Sequence, residues 1–168
     1  MSILTAFADW LGATPLTAQV TAHDWLVPAL QVVHILAIAG VLIASLHIHL
    51  RALGVWDKDV ALPDVSRAVL PILWGALAVL AATGFLLIAS EPTRAIFRTV
   101  FWVKLALALL ASTATAAQSS FGPVVRGDGT LTAGGNKVLA VAALIGWALV
   151  IYAGRWIAYA DPWPGAPG

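Results

Sequence analysis

Residues 25–53 read WLVPALQVVHILAIAGVLIASLHIHLRAL, and this stretch decides the fold. It carries no charged side chain before Arg51. A helix rises ~1.5 Å per residue, so roughly 20 apolar residues cross the ~30 Å hydrocarbon core of a bilayer. Residues 25–53 exceed that requirement, and three later stretches meet it: about 66–89, 96–118 and 137–159. Turn-forming and charged residues separate them. Residues 54–64 carry Asp57, Lys58, Asp59, Pro63 and Asp64, and residues 90–94 carry Glu91 and Pro92. Residues 119–136 carry Gly122, Pro123, Gly127, Gly129, Gly134 and Gly135. The expected fold is all-α: an integral membrane four-helix bundle, forming a single transmembrane domain over residues 1–168.

The composition agrees with that reading. Of the 168 residues, 61% are hydrophobic and 10% charged. An average soluble domain is about 45–50% apolar and about 25% charged. So apolar a chain has too little polar surface to cover a water-soluble globule, which excludes a soluble enzyme and a disordered tail. There is no cysteine, so disulfides, thiolate metal sites and cysteine nucleophiles are excluded as well. The formal net charge is +1, with Lys and Arg scattered singly. No basic stripe is present for nucleic acid to grip, so none is expected as a partner.

Residues 2–12 differ from the spans. Ile3, Leu4, Phe7, Trp10 and Leu11 fall on one side of a short helix, which Gly12 and Pro15 end. A short amphipathic helix lying in the membrane interface is expected there. No Lys or Arg precedes Arg51, so a signal peptide is not expected. Arg51, Lys58, Arg67, Arg126 and Lys137 fall on one side of the membrane, and Arg94, Arg98 and Arg155 on the other. The positive-inside rule then puts both termini outside, with the first and third loops cytoplasmic. Trp25, Trp56, Trp102 and Trp156 fall near the interfaces, where tryptophan is enriched. Small residues such as Gly75, Gly84, Ala111 and Gly146 favour close helix packing.

Polar groups at membrane depth are costly and each raises a functional question. At ~100° per residue, Gln31, His34, Ser45 and His49 share one stripe of the first span, expected to face the bundle interior. His47 points nearly the opposite way, near the cytoplasmic headgroups. His34 lies ~13 Å into the span. It admits three readings: a structural hydrogen-bonding residue, a haem or metal ligand, or a proton-relay or quinone site. Lys104 is the one ammonium well inside a span. It either snorkels to the outer interface or faces inward, with Ala108, Ala111, Thr115 and Gln118 on its face. The first and third spans run in the same direction, so His34 and Lys104 lie at matching depth and can point at one cavity. Neutral lysine can ligate a metal. A bis-histidine haem within one chain fails, because the other three spans contain no histidine. Copper transport through soft ligands has no cysteine to use, and Met1 is the sole methionine. Tyr152, Arg155, Trp156 and Tyr159 cluster at the outer end of the last span. They read as an interfacial anchor, or Arg155 as a contact for a haem propionate.

Several short motifs support a comparison with known families. Pro28, Gln31, His34 and Gly40, then Leu50, Arg51, Ala52, Leu53 and Gly54, resemble the first span of a bacterial family of small four-span membrane proteins of unknown function. Pro71, Thr83, Gly84, the run from Phe101 to Lys104, and the run from Gly154 to Tyr159 extend that resemblance over nearly the whole chain. The early His34, with Trp102, Val103 and Lys104 opening the third span, is also similar to the bacterial four-span protoporphyrinogen oxidases and to the copper-resistance D membrane domain. That similarity implies haem b as cofactor, with His34 and Lys104 binding it. Gln31 and His49, on the stripe of His34, and Arg155, at the end of the last span, are secondary candidates from the residues themselves. Residues 37–40 lack the aromatic-rich stretch that follows the histidine in the oxidases, so their activity is not carried over. The resemblance implies residence in a bacterial cytoplasmic (inner) membrane. The expected partners are the lipid bilayer and either a second copy of the chain or a larger membrane complex. The expected function is haem binding in redox or haem metabolism; the alternatives are a non-catalytic accessory subunit and a small transporter.

Overall fold

The computed structural model describes residues 3–121 and 136–162. The glycine-rich part of the third loop, with Arg126, and Trp163 lie outside the described residues. Seven helices follow in order: α1 (Ile3–Gly12), α2 (Pro15–Thr21), α3 (Leu26–Leu53), α4 (Leu62–Ser90), α5 (Pro92–Ile96), α6 (Thr99–Ser119) and α7 (Lys137–Trp156). Among the described residues there is no strand. Helices α3, α4, α6 and α7 are each long and apolar enough to cross a membrane, with mean hydropathies of 2.3, 2.3, 1.7 and 2.0 over their most apolar windows. The protein is built as a multi-pass membrane protein.

Local chemistry sets the helix ends. Pro15, Pro63 and Pro92 stand in the first turns of α2, α4 and α5, where a missing N–H leaves no helix bond unmade. Helix α3 stops at Gly54, whose φ of 73° lies in the left-handed region that glycine enters without strain. Asn136 caps α7 by accepting the Leu139 N–H at 3.1 Å. Pro71 lies inside α4, and the helix continues through it.

Three segments depart from the sequence expectation. The second span begins at Leu62 rather than about 66, so Pro63 and Asp64 of the expected loop form its first turn. The third span begins at Thr99, after a separate turn of helix at α5. Ile96 and Phe97 are buried against Ala8 of α1, and this packing takes them out of the span. The N-terminal region holds two helices rather than one. Thr14 caps α2, and the Thr17 hydroxyl lies 2.8 Å from Leu11 O and 2.9 Å from Ala89 O, joining α2 to α1 and to the end of α4. Helix α1 buries Ala8 and Leu11 and leaves Ile3, Phe7 and Trp10 exposed, an arrangement suited to an interfacial position.

The spans form two antiparallel hairpins, α3 with α4 and α6 with α7. Helix α3 also packs on α6 and α7, and α6 touches α4, whereas the backbones of α4 and α7 stay apart. The parallel helices α3 and α6 therefore lie across the short diagonal of the bundle. The central core joins Val41, Ala44, Leu73, Ala111, Trp147 and Val150. A Cβ on Gly40 would stand 3.2 Å from the Ala76 Cβ, and one on Gly146 would stand 3.4 Å from the Ala111 Cβ. The first approach is tighter than most Cβ contacts and the second is ordinary van der Waals contact, and helix association in lipid relies on such close packing of small residues. Apolar side chains on the outer faces, including Val32, Ile35, Leu36, Leu109, Leu110 and Ile145, are exposed, as hydrocarbon requires.

Candidate functional site

The polar side chains of the bundle gather at two levels, because α3 and α6 run in the same direction. Ser45 and His49 both approach Thr115, at sequence separations of 70 and 66. That offset sets His34 level with residues 100–104 of α6, and Lys104 is at that level.

At the end of the bundle nearer α1 and α2, His34 is half-buried against α4. Its Nδ1 lies 2.7 Å from the Thr83 hydroxyl, which itself donates to Val79 O at 2.7 Å. The single hydroxyl proton of Thr83 is committed to that carbonyl, so Thr83 accepts from His34 and Nδ1 carries the ring proton. The Nε2 lone pair then points elsewhere, and Nε2 makes no protein hydrogen bond among the described residues. A Cβ on Gly84 would touch the ring at Cε1, 3.5 Å away, so glycine keeps that side of the imidazole uncrowded.

Lys104 stands five residues into α6, ~7.5 Å from its start. Its side chain lies along Gly154 of α7, where a Cβ would be 3.4 Å from Cε and 3.6 Å from Nζ. It makes no ion pair among the described residues. The two hairpins share a register: His34 meets Gly84, and Lys104 meets Gly154, the second pair standing 70 positions after the first at both members. Ala76 of the Gly40 approach corresponds in the same way to Gly146 of the Ala111 approach. The matched placement of His34 and Lys104 is thus a property of the hairpins, and no repeat is visible in the sequence.

At the other end, nearer the loop between α3 and α4, Thr115 is a hub. Its hydroxyl donates to Ala111 O at 2.8 Å. It accepts from Trp147 Nε1 at 3.3 Å and meets His49 Nε2 at 3.0 Å, with Ser45 Oγ at 3.4 Å. Ser45, His49 and Thr115 are at most 1% exposed. Gln118, also fully buried, bonds the Asn136 backbone at 3.1 and 3.2 Å when its oxygen faces Asn136 N and its nitrogen Asn136 O. That bond pair ties the end of α6 to the start of α7.

The remaining candidates lie elsewhere. Gln31 is exposed, although periodicity sets it on the face of His49. Helix α6 begins at Thr99, so at the level of Gln31 the helix that covers this face is only starting. His47 is stacked on Trp56, with centroids 4.6 Å apart. Arg155 is exposed; it donates to the Tyr159 hydroxyl at 3.1 Å and its guanidinium lies 5.5 Å from that ring's centroid. Arg98 donates to Ile157 O, joining the start of α6 to the end of α7. Arg94 pairs with Glu91 at 2.8 Å on the surface.

Sequence reasoning missed the residues that orient these groups. Thr83 and Gly84 hold His34, Gly154 receives Lys104, and Trp147 joins the hub, all from helices other than those of their partners. Thr83 on the small-residue face of α4 was the available signal. Among the described residues, no three His, Asp or Glu side chains gather as a metal site. No family model matches the chain, and no curated protein or solved structure matches it.

Proposed function

We propose that this multi-pass membrane protein binds haem b at its outer level and serves redox or haem metabolism. His34, through Nε2, and Lys104, through Nζ, would hold the haem iron. One observation carries the reading: the bond to Thr83 holds the His34 proton on Nδ1 and leaves Nε2 as a bare lone pair. Haem-ligating and metal-ligating histidines are oriented in this way, through a hydrogen bond from the other ring nitrogen. The donor set fits haem iron, with one imidazole nitrogen and one amine at the same level of parallel helices. When bound, haem supplies one-electron chemistry. The chain's own residues hold and orient: Thr83 fixes the ring, and Gly84 and Gly154 leave room beside the two donors. Arg155, exposed at the outer end of α7, is a bidentate partner for a propionate. We place the protein in a bacterial cytoplasmic membrane with both termini periplasmic, from the balance of Lys and Arg between the two sides. Gln31, exposed one turn from His34, supports contact with a second copy or with a larger complex.

A second reading, a non-catalytic accessory subunit, is favoured by the Thr115 hub, which spends its polar groups on joining helices. Absorption spectra of the protein purified in mild detergent separate the two. Haem binding gives a Soret band; His34→Ala abolishes or shifts it, and Lys104→Ala changes the spin state. No Soret band after haem supplementation overturns the haem reading, and unchanged spectra in both variants overturn the ligand assignment.

A further inference from the structure

A groove of about 260 Å³ lies along the seam between α3 and α7. Helix α3 supplies Leu42, Ser45 and Leu46, and α7 supplies Leu144, Ala148 and Ile151, with the buried Trp147 as part of the floor. The polar atoms of Ser45 and Trp147 turn inward to Thr115, so the groove presents carbon. Leu46 and Ala148 are exposed, so it opens on a face that meets hydrocarbon.

The groove leads to a cation. At ~100° per residue, Leu144, Ala148, Ile151 and Arg155 share one stripe of α7, within ~60° of one another. Arg155 stands four residues beyond Ile151, ~6 Å further along the helix. It is exposed and makes no ion pair among the described residues, where its one hydrogen bond goes to the Tyr159 hydroxyl. A guanidinium carries five N–H donors, so most of them are open to an anion. Next around the helix, Tyr152 and Trp156 stack with ring centroids 5.7 Å apart, and Tyr159 follows 6.4 Å from Trp156. Aromatic rings gathered at the end of a span mark the level of the lipid headgroups. From Leu144 to Arg155 is ~16 Å along the helix, about half of the ~30 Å hydrocarbon core. That is the reach of the acyl chains of one leaflet.

We propose that the α3–α7 groove holds one acyl chain of an anionic phospholipid, from the leaflet that meets the C-terminal end of α7, with the lipid phosphate on Arg155. The groove takes the chain through packing contacts, which drive association in lipid, and the guanidinium takes the phosphate through paired N–H bonds. A second copy of the chain would lay a helix over the groove and leave Arg155 without its anion, whereas a lipid supplies chain and anion in one molecule. A haem propionate and a lipid phosphate are alternative anions for Arg155, and the lipid site does not depend on what binds at His34.

Native mass spectrometry tests this on the full chain, purified without added haem and released from micelles containing phosphatidylglycerol or phosphatidylcholine. The expected result is one retained phosphatidylglycerol per chain, held ~5-fold more tightly than phosphatidylcholine, the effect of one arginine near anionic lipid. Arg155→Gln should remove that preference and leave both lipids bound equally. Ala148→Phe, which puts a ring into the open groove from an exposed position, should lose both lipids. Leu149→Phe, exposed on the same turn but facing away from the stripe, should retain them. A preference that survives Arg155→Gln overturns the phosphate contact, and retention that survives Ala148→Phe overturns the groove as the seat of the chain. Lipid-free dimers that Ala148→Phe dissociates also overturn the proposal, because the occupant is then a second copy.

Discussion

Replacing Thr115 with valine removes one hydroxyl and almost no volume from the most connected polar point in the bundle. The substitution leaves the Trp147 Nε1–H, now 3.3 Å from the hydroxyl, without an acceptor, and breaks the 3.0 Å bond to His49 Nε2. Both partners are buried, Trp147 at 5% exposure and His49 at 0%, so water does not replace the lost oxygen. Side-chain hydrogen bonds between membrane helices average about 0.6 kcal/mol and reach about 1.7 kcal/mol. Two such bonds give an expected loss of about 1–3 kcal/mol, the upper part reflecting donors left unsatisfied. The 3.4 Å approach of Ser45 is too long to add much. Equilibrium unfolding in mixed micelles titrated with an anionic detergent measures the loss. A double-mutant cycle with Trp147→Phe, which removes the N–H and keeps an aromatic ring, isolates one bond. A Thr115→Val protein as stable as the unmodified one to within ~0.5 kcal/mol refutes the hub. So does strict additivity with Trp147→Phe.

Three further outcomes follow from the same geometry. Thr83→Val, which deprives His34 Nδ1 of its acceptor, should weaken haem affinity by about 10–100-fold in a spectroscopic titration, as loss of such an orienting bond does at metal sites. Gly40→Leu forces bulk into a gap where a Cβ alone would be 3.2 Å from Ala76, and should destabilise the bundle by about 1–3 kcal/mol in the detergent titration. Asn136→Ala removes the acceptor for the Leu139 N–H and should lower stability by ~1 kcal/mol, read by the same titration.

Much of the architecture is legible in the order of residues, and the reason is the solvent. Hydrocarbon satisfies no backbone group, so a long uncharged stretch such as residues 25–53 must be helical. The charged groups around Asp57, Lys58, Asp59 and Glu91 mark where the chain leaves the membrane. The candidate ligands His34 and Lys104 are also legible, because a polar side chain among apolar ones is conspicuous. The break at α5 was not, since Ile96 and Phe97 are as apolar as the span that follows. They belong to the cap only because Ala8 packs on them. Gln31 was misplaced for a similar reason. Periodicity assigns a face to a residue but does not say whether another helix is there to cover it.

The sequence by itself therefore determined four apolar helices and the short inventory of polar groups within them. Only the tertiary structure decided which of those groups meet. His34 finds Thr83 at a separation of 49 residues, His49 finds Thr115 at 66, and Trp147 finds Thr115 at 32. Such pairings depend on the register between helices, which close approaches such as Gly40 to Ala76 and Gly146 to Ala111 set. In lipid, the faces that meet protein and the faces that meet hydrocarbon are equally apolar. The periodicity that separates inside from outside in a soluble helix therefore leaves the register of a membrane bundle open until the helices pack.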